Sequence, residues 1–153
     1  MTFVSQILVP VDFSPGSRAA VKYAAILAQT LHSTVTLLHV YELPSPMSSI
    51  VPGADEVGDA ENERAAAQRW LELLRTEAQK DSEIDIRVVV VHGAPVEEIV
   101  SLSREGGFDM VVMGTHGRTG FQHILMGSVA EAVVRRAPCP VLTIHLPVPS
   151  GPG

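Results

Sequence analysis

A glycine-rich turn, Gly114-Thr115-His116-Gly117-Arg118-Thr119-Gly120, is the segment of this sequence best suited to binding chemistry. It follows the apolar run at 108–113 and precedes a helical pattern at 124–136. Glycine accepts positive φ and lets a ligand approach the main chain closely. The first amides of the following helix add unpaired donors and a partial positive charge. The turn is therefore predicted to bind an anion such as a phosphate group.

Two common phosphate-binding motifs do not describe this turn. A Walker A loop needs a Gly-Lys-Ser/Thr sequence, and no Gly-Lys pair occurs in the chain. The dinucleotide motif G-x-G-x-x-G differs in spacing and belongs after the first strand, whereas this turn follows the fourth. A second candidate, Gly127-Ser128, lies a short run beyond the turn.

Composition narrows the class of protein. The 153 residues are 46% hydrophobic and 18% charged, which favours one folded domain over a disordered chain. A formal net charge of -6 argues against a nucleic-acid binder, which usually presents a basic face. Cys139 is the single cysteine, and no secretory signal or membrane-spanning run is found, so a cytoplasmic protein without a membrane partner is expected.

The elements that must position the turn follow from short-range patterns. Apolar runs at 7–11, 35–40, 84–91, 108–113 and 140–145 predict five strands, with Pro10 at the end of the first. Ser14 and Pro15 are suited to the N-cap and first position of a helix. Further helices are predicted at 61–80, from Pro95, and over the pattern at 124–136 that Pro138 ends.

Helical spacing also predicts which side chains are buried. The apolar face of the first helix is formed by Ala20, Tyr23, Ala24, Leu27 and Leu31, and that of the fourth by Leu125, Ser128, Val129, Ala132 and Val133. The second helix is marked by Ala66, Trp70, Leu73 and Leu74, with Trp70 packed in the core or against a loop. Residues 43–58, rich in Pro and Gly, are predicted to form a functional or mobile loop.

The β-α alternation predicts the fold class: α/β, a doubly wound five-stranded parallel sheet with right-handed crossovers. It forms a single domain at 1–146, followed by a flexible tail at 147–153. In such sheets the ligand lies beyond the carboxyl ends of the strands, where the strand order reverses. Asp12, Val40 and Gly114 all lie at or just after predicted strand ends, which favours one shared site.

The spacing Gly114-x2-Gly117-x9-Gly127-Ser128 resembles the motif G-x2-G-x9-G-[S/T] of the ATP-binding branch of the universal stress protein family. Segments 7–14, 39–40 and 139–142 extend the resemblance over nearly the whole chain. It implies a Rossmann-like fold of the adenine nucleotide alpha hydrolase type, with strand order 3-2-1-4-5. It also implies a homodimer formed through the last strand, at 140–145.

The resemblance assigns roles to particular residues. The loop that wraps the phosphates matches Gly114, Thr115, His116, Gly117 and Arg118, and a second phosphate contact matches Gly127, Ser128 and Val129. The second contact implies that the segment before Gly127 curls back over the turn, so that the regular helix starts near Ser128. Met113 is also assigned to the binding site. Pro10, Val11 and Val40 match the adenine slot, where aliphatic walls suit a flat, mostly apolar base. Asp12 matches the acidic residue near the ribose, where Mg or Mn would bridge it to the phosphates.

Each of these residues also has a plainer interpretation. Gly114 and Gly117 would form an ordinary tight turn, Ser128 a small packing residue, Asp12 a cap of the first helix, and Arg118 a solvated surface charge. The six histidines are dispersed and predict no zinc site, although His116 is a candidate neighbour of phosphate. Cys139 has no base nearby in sequence and is not expected to act as a nucleophile.

Three functions remain open at this stage. The first is an ATP-, ADP- or AMP-binding regulatory dimer with an unknown downstream protein partner. The second is a slow ATPase or a phosphoryl or nucleotidyl transferase on the same fold, for which no general base or arginine finger is singled out. The third is an adaptor that keeps the dimer without the nucleotide.

Overall fold

The computed structural model describes residues 3–42, 56–116 and 126–146. The elements alternate in the order β1 (Gln6–Pro10), α1 (Pro15–Leu31), β2 (Thr34–Tyr41), α2 (Glu56–Ala78), β3 (Ile86–His92), α3 (Pro95–Glu105), β4 (Met110–Gly114), α4 (Ser128–Arg136) and β5 (Val141–Ile144). None of the helices in these ranges is long and apolar enough to cross a membrane. The predicted tail at 147–153 lies outside the described residues.

The five strands form one parallel sheet in the order β3-β2-β1-β4-β5. This confirms the predicted α/β class and strand order. β1 lies between β2 and β4, so the chain moves outward in one direction before β4 and in the other after it. The point at which the direction reverses is the carboxyl end of β1, where ligands bind in sheets of this kind.

Apolar side chains cover both faces of the sheet. Ile7, Val9 and Leu37 belong to a cluster with α1 and α2, and Leu8 and Val111 belong to a cluster with α3 and α4. Adjacent residues of one strand point to opposite faces, so β1 contributes to both clusters. These two clusters pack against both faces of β1, β2 and β4, whose carboxyl ends form the candidate site described below.

The N-terminus of α1 is built as the sequence predicts. Ser14 is the N-cap, with its hydroxyl accepting from Ser17 N at 3.2 Å, and Pro15 opens the helix. The predicted buried face is partly wrong, because Tyr23 is 53% and Leu31 44% exposed. The buried residues are the small Ser17, Ala20, Val21, Ala24 and Ala28, which let the helix axis approach the sheet closely.

Helix α2 departs further from the prediction. It begins at Glu56, inside the segment predicted as loop, while 43–55 lie outside the described residues. The buried face is formed by Ala67 and Leu71, whereas Trp70 is 55% exposed and is not a core residue. Its ring lies 6.3 Å from that of Phe13 in the β1–α1 loop, which agrees with the alternative prediction of packing against a loop.

Helix α4 starts at Ser128, as predicted, and buries Ala130 and Val133. Of the face predicted for this helix, Val133 is buried, Val129 and Ala132 are half-buried, and Ser128 is exposed, while Leu125 lies outside the described residues. Ala130 and Val133 belong to the same apolar cluster as Val111 and Met113 of β4.

Candidate functional site

A cavity of about 250 Å³ opens at the carboxyl ends of β1, β2 and β4. Its size is just below the range of roughly 300–1,000 Å³ for small-molecule sites, which suits a compact ligand. Its lining comes from the β1–α1 corner, the end of β2, the start of α3, and both ends of the β4–α4 connection. The lining residues are Pro10, Val11, Asp12, Ser14, Ser17, Leu38, Val40, Pro95, Ile99, Met113, Gly114, Thr115, His116, Gly127, Ser128, Val129 and Ala130.

The cavity brings together the predicted site residues that the structure describes. These are Pro10, Val11, Asp12, Val40, Met113, Gly114, Thr115, His116, Gly127, Ser128 and Val129. They come from four separate stretches of sequence and meet at the point where the strand order reverses. Gly117 and Arg118, which were predicted to complete the phosphate loop, lie outside the described residues.

Two of the amides predicted to bind phosphate have protein partners. Thr115 N donates to Ile144 O at 3.0 Å, and Gly127 N donates to Thr115 O at 2.6 Å. The second bond ties the two ends of the β4–α4 connection together. Thr115 and Gly127 therefore line the cavity, but their backbone N–H groups are hydrogen-bonded within the protein rather than directed to a phosphate group.

The first turn of α4 supplies donors in their place. The first backbone bond into this helix runs from Glu131 N to Gly127 O at 3.0 Å, so the helix leaves the preceding amides of Ser128, Val129 and Ala130 without an intrahelical acceptor. All three residues line the cavity. The Ser128 hydroxyl and the partial positive charge of the helix end add to the same surface, which suits an anion.

Asp12 supports the start of α1, although Ser14 is the N-cap of that helix. Its Oδ1 accepts from Ser14 N at 3.0 Å and from the Ser14 hydroxyl, and Ser14 in turn caps α1. The carboxylate also lines the cavity. Its hydrogen bonds with Ser14 fix its position, so the cavity presents a negatively charged wall close to the helix end.

Another part of the lining is apolar. Leu38 and Met113 are buried, Val40 is half-buried, and all three line the cavity. Behind this wall, Val11 N donates to Leu38 O at 2.7 Å, and the Nδ1–H of His39 donates to Val11 O at 2.7 Å. The two bonds fix the main chain of Val11 where it borders the cavity.

A polar cluster closes the side nearest β5. The hydroxyl of the buried Thr115 lies 3.1 Å from His116 Nδ1, 3.3 Å from His145 Nδ1 and 3.4 Å from Ile144 O. The two imidazole rings are 5.8 Å apart. Thr115 thus links the cavity, through His116, to the residue that follows the edge strand.

Glycine is required at Gly114 for a reason that the sequence does not reveal. A Cβ at this position would lie 2.8 Å from the carbonyl carbon and 3.0 Å from the carbonyl oxygen of Gly16. The main chains of β4 and α1 therefore touch, and this contact holds the N-terminus of α1 against the cavity. Gly114 serves helix packing as well as the site.

Comparison with known proteins agrees with this architecture. The sequence model of the universal stress protein family matches residues 4–145. The chain belongs to the universal stress protein family. Universal stress protein MJ0531 of Methanocaldococcus jannaschii is 32% identical over 142 residues, which cover 93% of this chain and 82% of the relative.

Solved structures share the fold of this universal stress protein. The structure of MJ0577 from Methanocaldococcus jannaschii has a TM-score of 0.84 at 29% identity and covers 96% of this chain and 99% of that chain. A universal stress protein solved in complex with cAMP has a TM-score of 0.69 at 27% identity, covering 94% and 99% of the two chains. Those comparisons confirm the family expected from the glycine spacing.

Sequence reasoning missed six residues of the lining: Ser14, Ser17, Leu38, Pro95, Ile99 and Ala130. Leu38 had a usable signal, since it precedes Val40 by two residues and therefore shares its face of the strand. Ser14 was identified only as a helix cap. Ile99 and Ala130 line the cavity because α3 and α4 both pack in the apolar cluster that contains Leu8 and Val111. No short-range sequence pattern encodes this packing.

Burial and the neighbouring Asp109 carboxylate raise the pKa of the Cys139 thiol above its ordinary value. The thiol of this universal stress protein therefore stays protonated at neutral pH. We expect iodoacetamide to alkylate the native protein more slowly than the urea-unfolded chain at pH 8, with the difference widening toward pH 9 as the unfolded thiol ionises first. Equal rates would contradict the protected environment.

The same shift of the Cys139 pKa predicts a small pH effect on stability. The folded state binds more protons than the unfolded state above the ordinary thiol pKa, roughly 8.5, so the free energy of unfolding should fall as the pH rises through this range. In a Cys139→Ser variant, urea denaturation should lose that decline.

Proposed function

We propose that this chain is a cytoplasmic, adenine-nucleotide-binding regulator that acts as a homodimer, with ATP, ADP or AMP as its ligand. The observation that carries the proposal is the cavity at the reversal point of the sheet, whose lining combines apolar side chains with a helix N-terminus. A nucleotide has the same two-part character: a flat base and an anionic phosphate chain.

The apolar end of the cavity suits the base. Val40 and Met113 offer aliphatic surface, and the main chain of Val11 is fixed by its bonds to Leu38 and His39. A flat, mostly apolar ring gains from such a preformed wall, because little ordering is left to occur on binding. The cAMP complex of a relative supports the choice of adenine over other bases.

The phosphate end is the first turn of α4. Its three leading amides and the Ser128 hydroxyl form a compact group of donors on the cavity surface. Gly117 and Arg118 are proposed to extend this group, in line with the spacing of the glycine motif. Asp12 lines the same cavity, so a divalent ion between it and the phosphates would relieve the repulsion of two negative groups.

The donor set fits a metal that arrives with the nucleotide. In the described ranges no three His, Cys, Asp or Glu side chains are grouped around a common point. Mg²⁺ commonly takes one or two carboxylates and completes its shell with water and phosphate oxygens. We propose Asp12 as that carboxylate, with Mg²⁺ or Mn²⁺ as the ion.

An Asp12→Asn variant separates the metal role from the hydrogen bonding to Ser14 that supports the start of α1. Asn keeps the Oδ1 acceptor that Ser14 uses, so the thermal midpoint should change little. Magnesium should strengthen ATP binding by at least about tenfold in the native protein and by less than about twofold in the variant. Titration calorimetry with and without the ion measures this. An unchanged magnesium effect in the variant would exclude Asp12 as a ligand.

The homodimer is proposed to form through the edge strand β5. Leu142 is 38% exposed on this strand, and Val134 of α4 and Leu146 just beyond β5 are also exposed. An apolar edge strand invites pairing with another strand. We expect Leu142→Asp to convert the dimer to a monomer, as measured by light scattering after gel filtration. Ile26→Asp, on the exposed side of α1, is the control and should leave the mass unchanged.

The proposed function is tested by calorimetric titration with ATP, ADP, AMP, cAMP and GTP. Saturable binding of at least one adenine nucleotide, and weaker binding of GTP, is the expected result. The absence of heat and of any thermal shift at millimolar adenine nucleotide would overturn the proposal. Phosphate release measured in the same samples separates a regulator from a slow ATPase.

A further inference from the structure

We propose that a groove between α1 and α2 is a second binding site, for a small aromatic molecule that carries both an acidic and a basic group, such as an aromatic amino acid. The groove has a volume of about 490 Å³, within the usual range for small-molecule sites. It is lined by Phe13, Arg18, His39, Glu63, Ala66, Ala67 and Trp70. None of these residues lines the nucleotide cavity.

Aromatic rings define one side of the groove. The rings of Phe13 and His39 lie 4.7 Å apart, and those of Phe13 and Trp70 lie 6.3 Å apart, in tilted arrangements. Trp70 nevertheless remains 55% exposed. Ala66 and Ala67, four and three residues before Trp70 and so about one helical turn away, leave space beside the indole. A planar ring entering here would gain aromatic contacts that the protein itself leaves unused.

The main chain at Phe13 is held in a conformation that bulky residues rarely adopt. Its φ is 64°, in the left-handed region, where the backbone of any residue other than glycine is strained. Such strain concentrates at functional positions. Here it places Phe13 in the groove while its neighbour Asp12 lines the nucleotide cavity.

Charge complementarity selects the ligand. Arg18 on α1 and Glu63 on α2 both line the groove, and neither belongs to the ion pairs within 4.0 Å among residues 3–42, 56–116 and 126–146. A carboxylate on the ligand would pair with the guanidinium, and an ammonium with Glu63. An aromatic ligand with only an anionic group, or only a cationic group, would pair with one of these two side chains and be repelled by the other.

The groove is connected to the nucleotide cavity through His39. Its ring contacts Phe13 in the groove, and its Nδ1–H donates to Val11 O at the cavity. A ligand that displaces the Phe13 ring would therefore displace His39 and weaken its hydrogen bond to Val11 O. This coupling rests on the proposed nucleotide function, whereas binding in the groove does not.

The chain's single tryptophan makes the site directly testable. With excitation selective for tryptophan, L-phenylalanine should change the emission of Trp70 saturably at millimolar concentration. Alanine, benzoate and phenethylamine, which lack the ring, the cation and the anion respectively, should each bind at least about tenfold more weakly. Saturation-transfer NMR on L-phenylalanine provides a second readout that does not depend on Trp70.

Matched variants locate the binding. Ala66→Leu fills the groove and should abolish the response, whereas Ala65→Leu, exposed and outside the groove on the same helix, should preserve it. Arg18→Gln and Glu63→Gln should each weaken binding about tenfold. Absence of both signals in the native protein, or equal binding by Ala66→Leu, would overturn the site. Equal binding of benzoate would overturn its preference for a zwitterion.

The coupling has its own readout. Saturating L-phenylalanine should change the ATP dissociation constant, and a His39→Phe variant, which keeps a ring but loses the donor to Val11, should abolish that change. An unaltered ATP constant in the native protein would overturn the coupling. Absence of ATP binding altogether would overturn the nucleotide proposal while leaving the fluorescence and NMR results to decide the groove.

Discussion

Gly114→Ala should lower the free energy of unfolding by about 3 kcal/mol, the upper part of the range for overpacked interiors. The added Cβ would lie 2.8 Å from the carbonyl carbon and 3.0 Å from the oxygen of Gly16. Both atoms belong to main chain at the start of α1, so no flexible side chain can move aside. Relief requires α1 to move away from β4, which also widens the cavity at the carboxyl end of β1. Urea denaturation should show a lower midpoint with an unchanged slope.

Gly107→Ala is the matched control for this prediction. Gly107 has φ +66°, and a Cβ there would meet nothing within 4 Å, so only the backbone strain remains. That strain costs roughly 1 kcal/mol, and the site lies outside the cavity lining. Gly114→Ala should therefore be clearly the more damaging of the two and should weaken ATP binding as well. A smaller loss than in the control would contradict the contact between the two main chains.

Much of the fold was accessible to sequence reasoning because short-range patterns encode it. Buried parallel strands appear as apolar runs, and Ser14-Pro15 marks a helix start by its own hydrogen-bonding chemistry. The position of the cavity followed from the alternation of elements, since parallel strands place their carboxyl ends at one edge of the sheet.

The parts that failed depend on how closely elements approach one another. Tyr23 and Trp70 have helical spacing suited to a core, but α1 packs through serine and alanine and α2 through Ala67 and Leu71. A helix face of small residues has a weak hydrophobic pattern in the sequence, although it allows the helix to approach the sheet closely. The close contact at Gly16 and the positive φ of Phe13 are set by tertiary structure and have no marker in the local sequence.

Val40→Phe should weaken ATP binding by at least about 100-fold while leaving the fold intact. Val40 is half-buried on the apolar wall of a cavity of about 250 Å³, and a phenyl ring there would occupy the space proposed for the base. Val40 lies near the carboxyl end of β2 and lines the cavity, so the larger side chain can extend into the cavity when no ligand is bound. Calorimetric titration gives the affinity, and thermal denaturation without nucleotide monitors the fold.

Val91→Phe is the control, because Val91 is paired in register with Val40 on β3 and packs against the same apolar cluster. It is also half-buried but does not line the cavity. The two variants therefore share the chemical change and the cost of crowding the cluster, and they differ in whether the ring enters the cavity. Binding lost in Val40→Phe and kept in Val91→Phe would place the nucleotide at the reversal point of the sheet. Equal loss in both would mean that the cluster transmits the effect and that the base lies elsewhere.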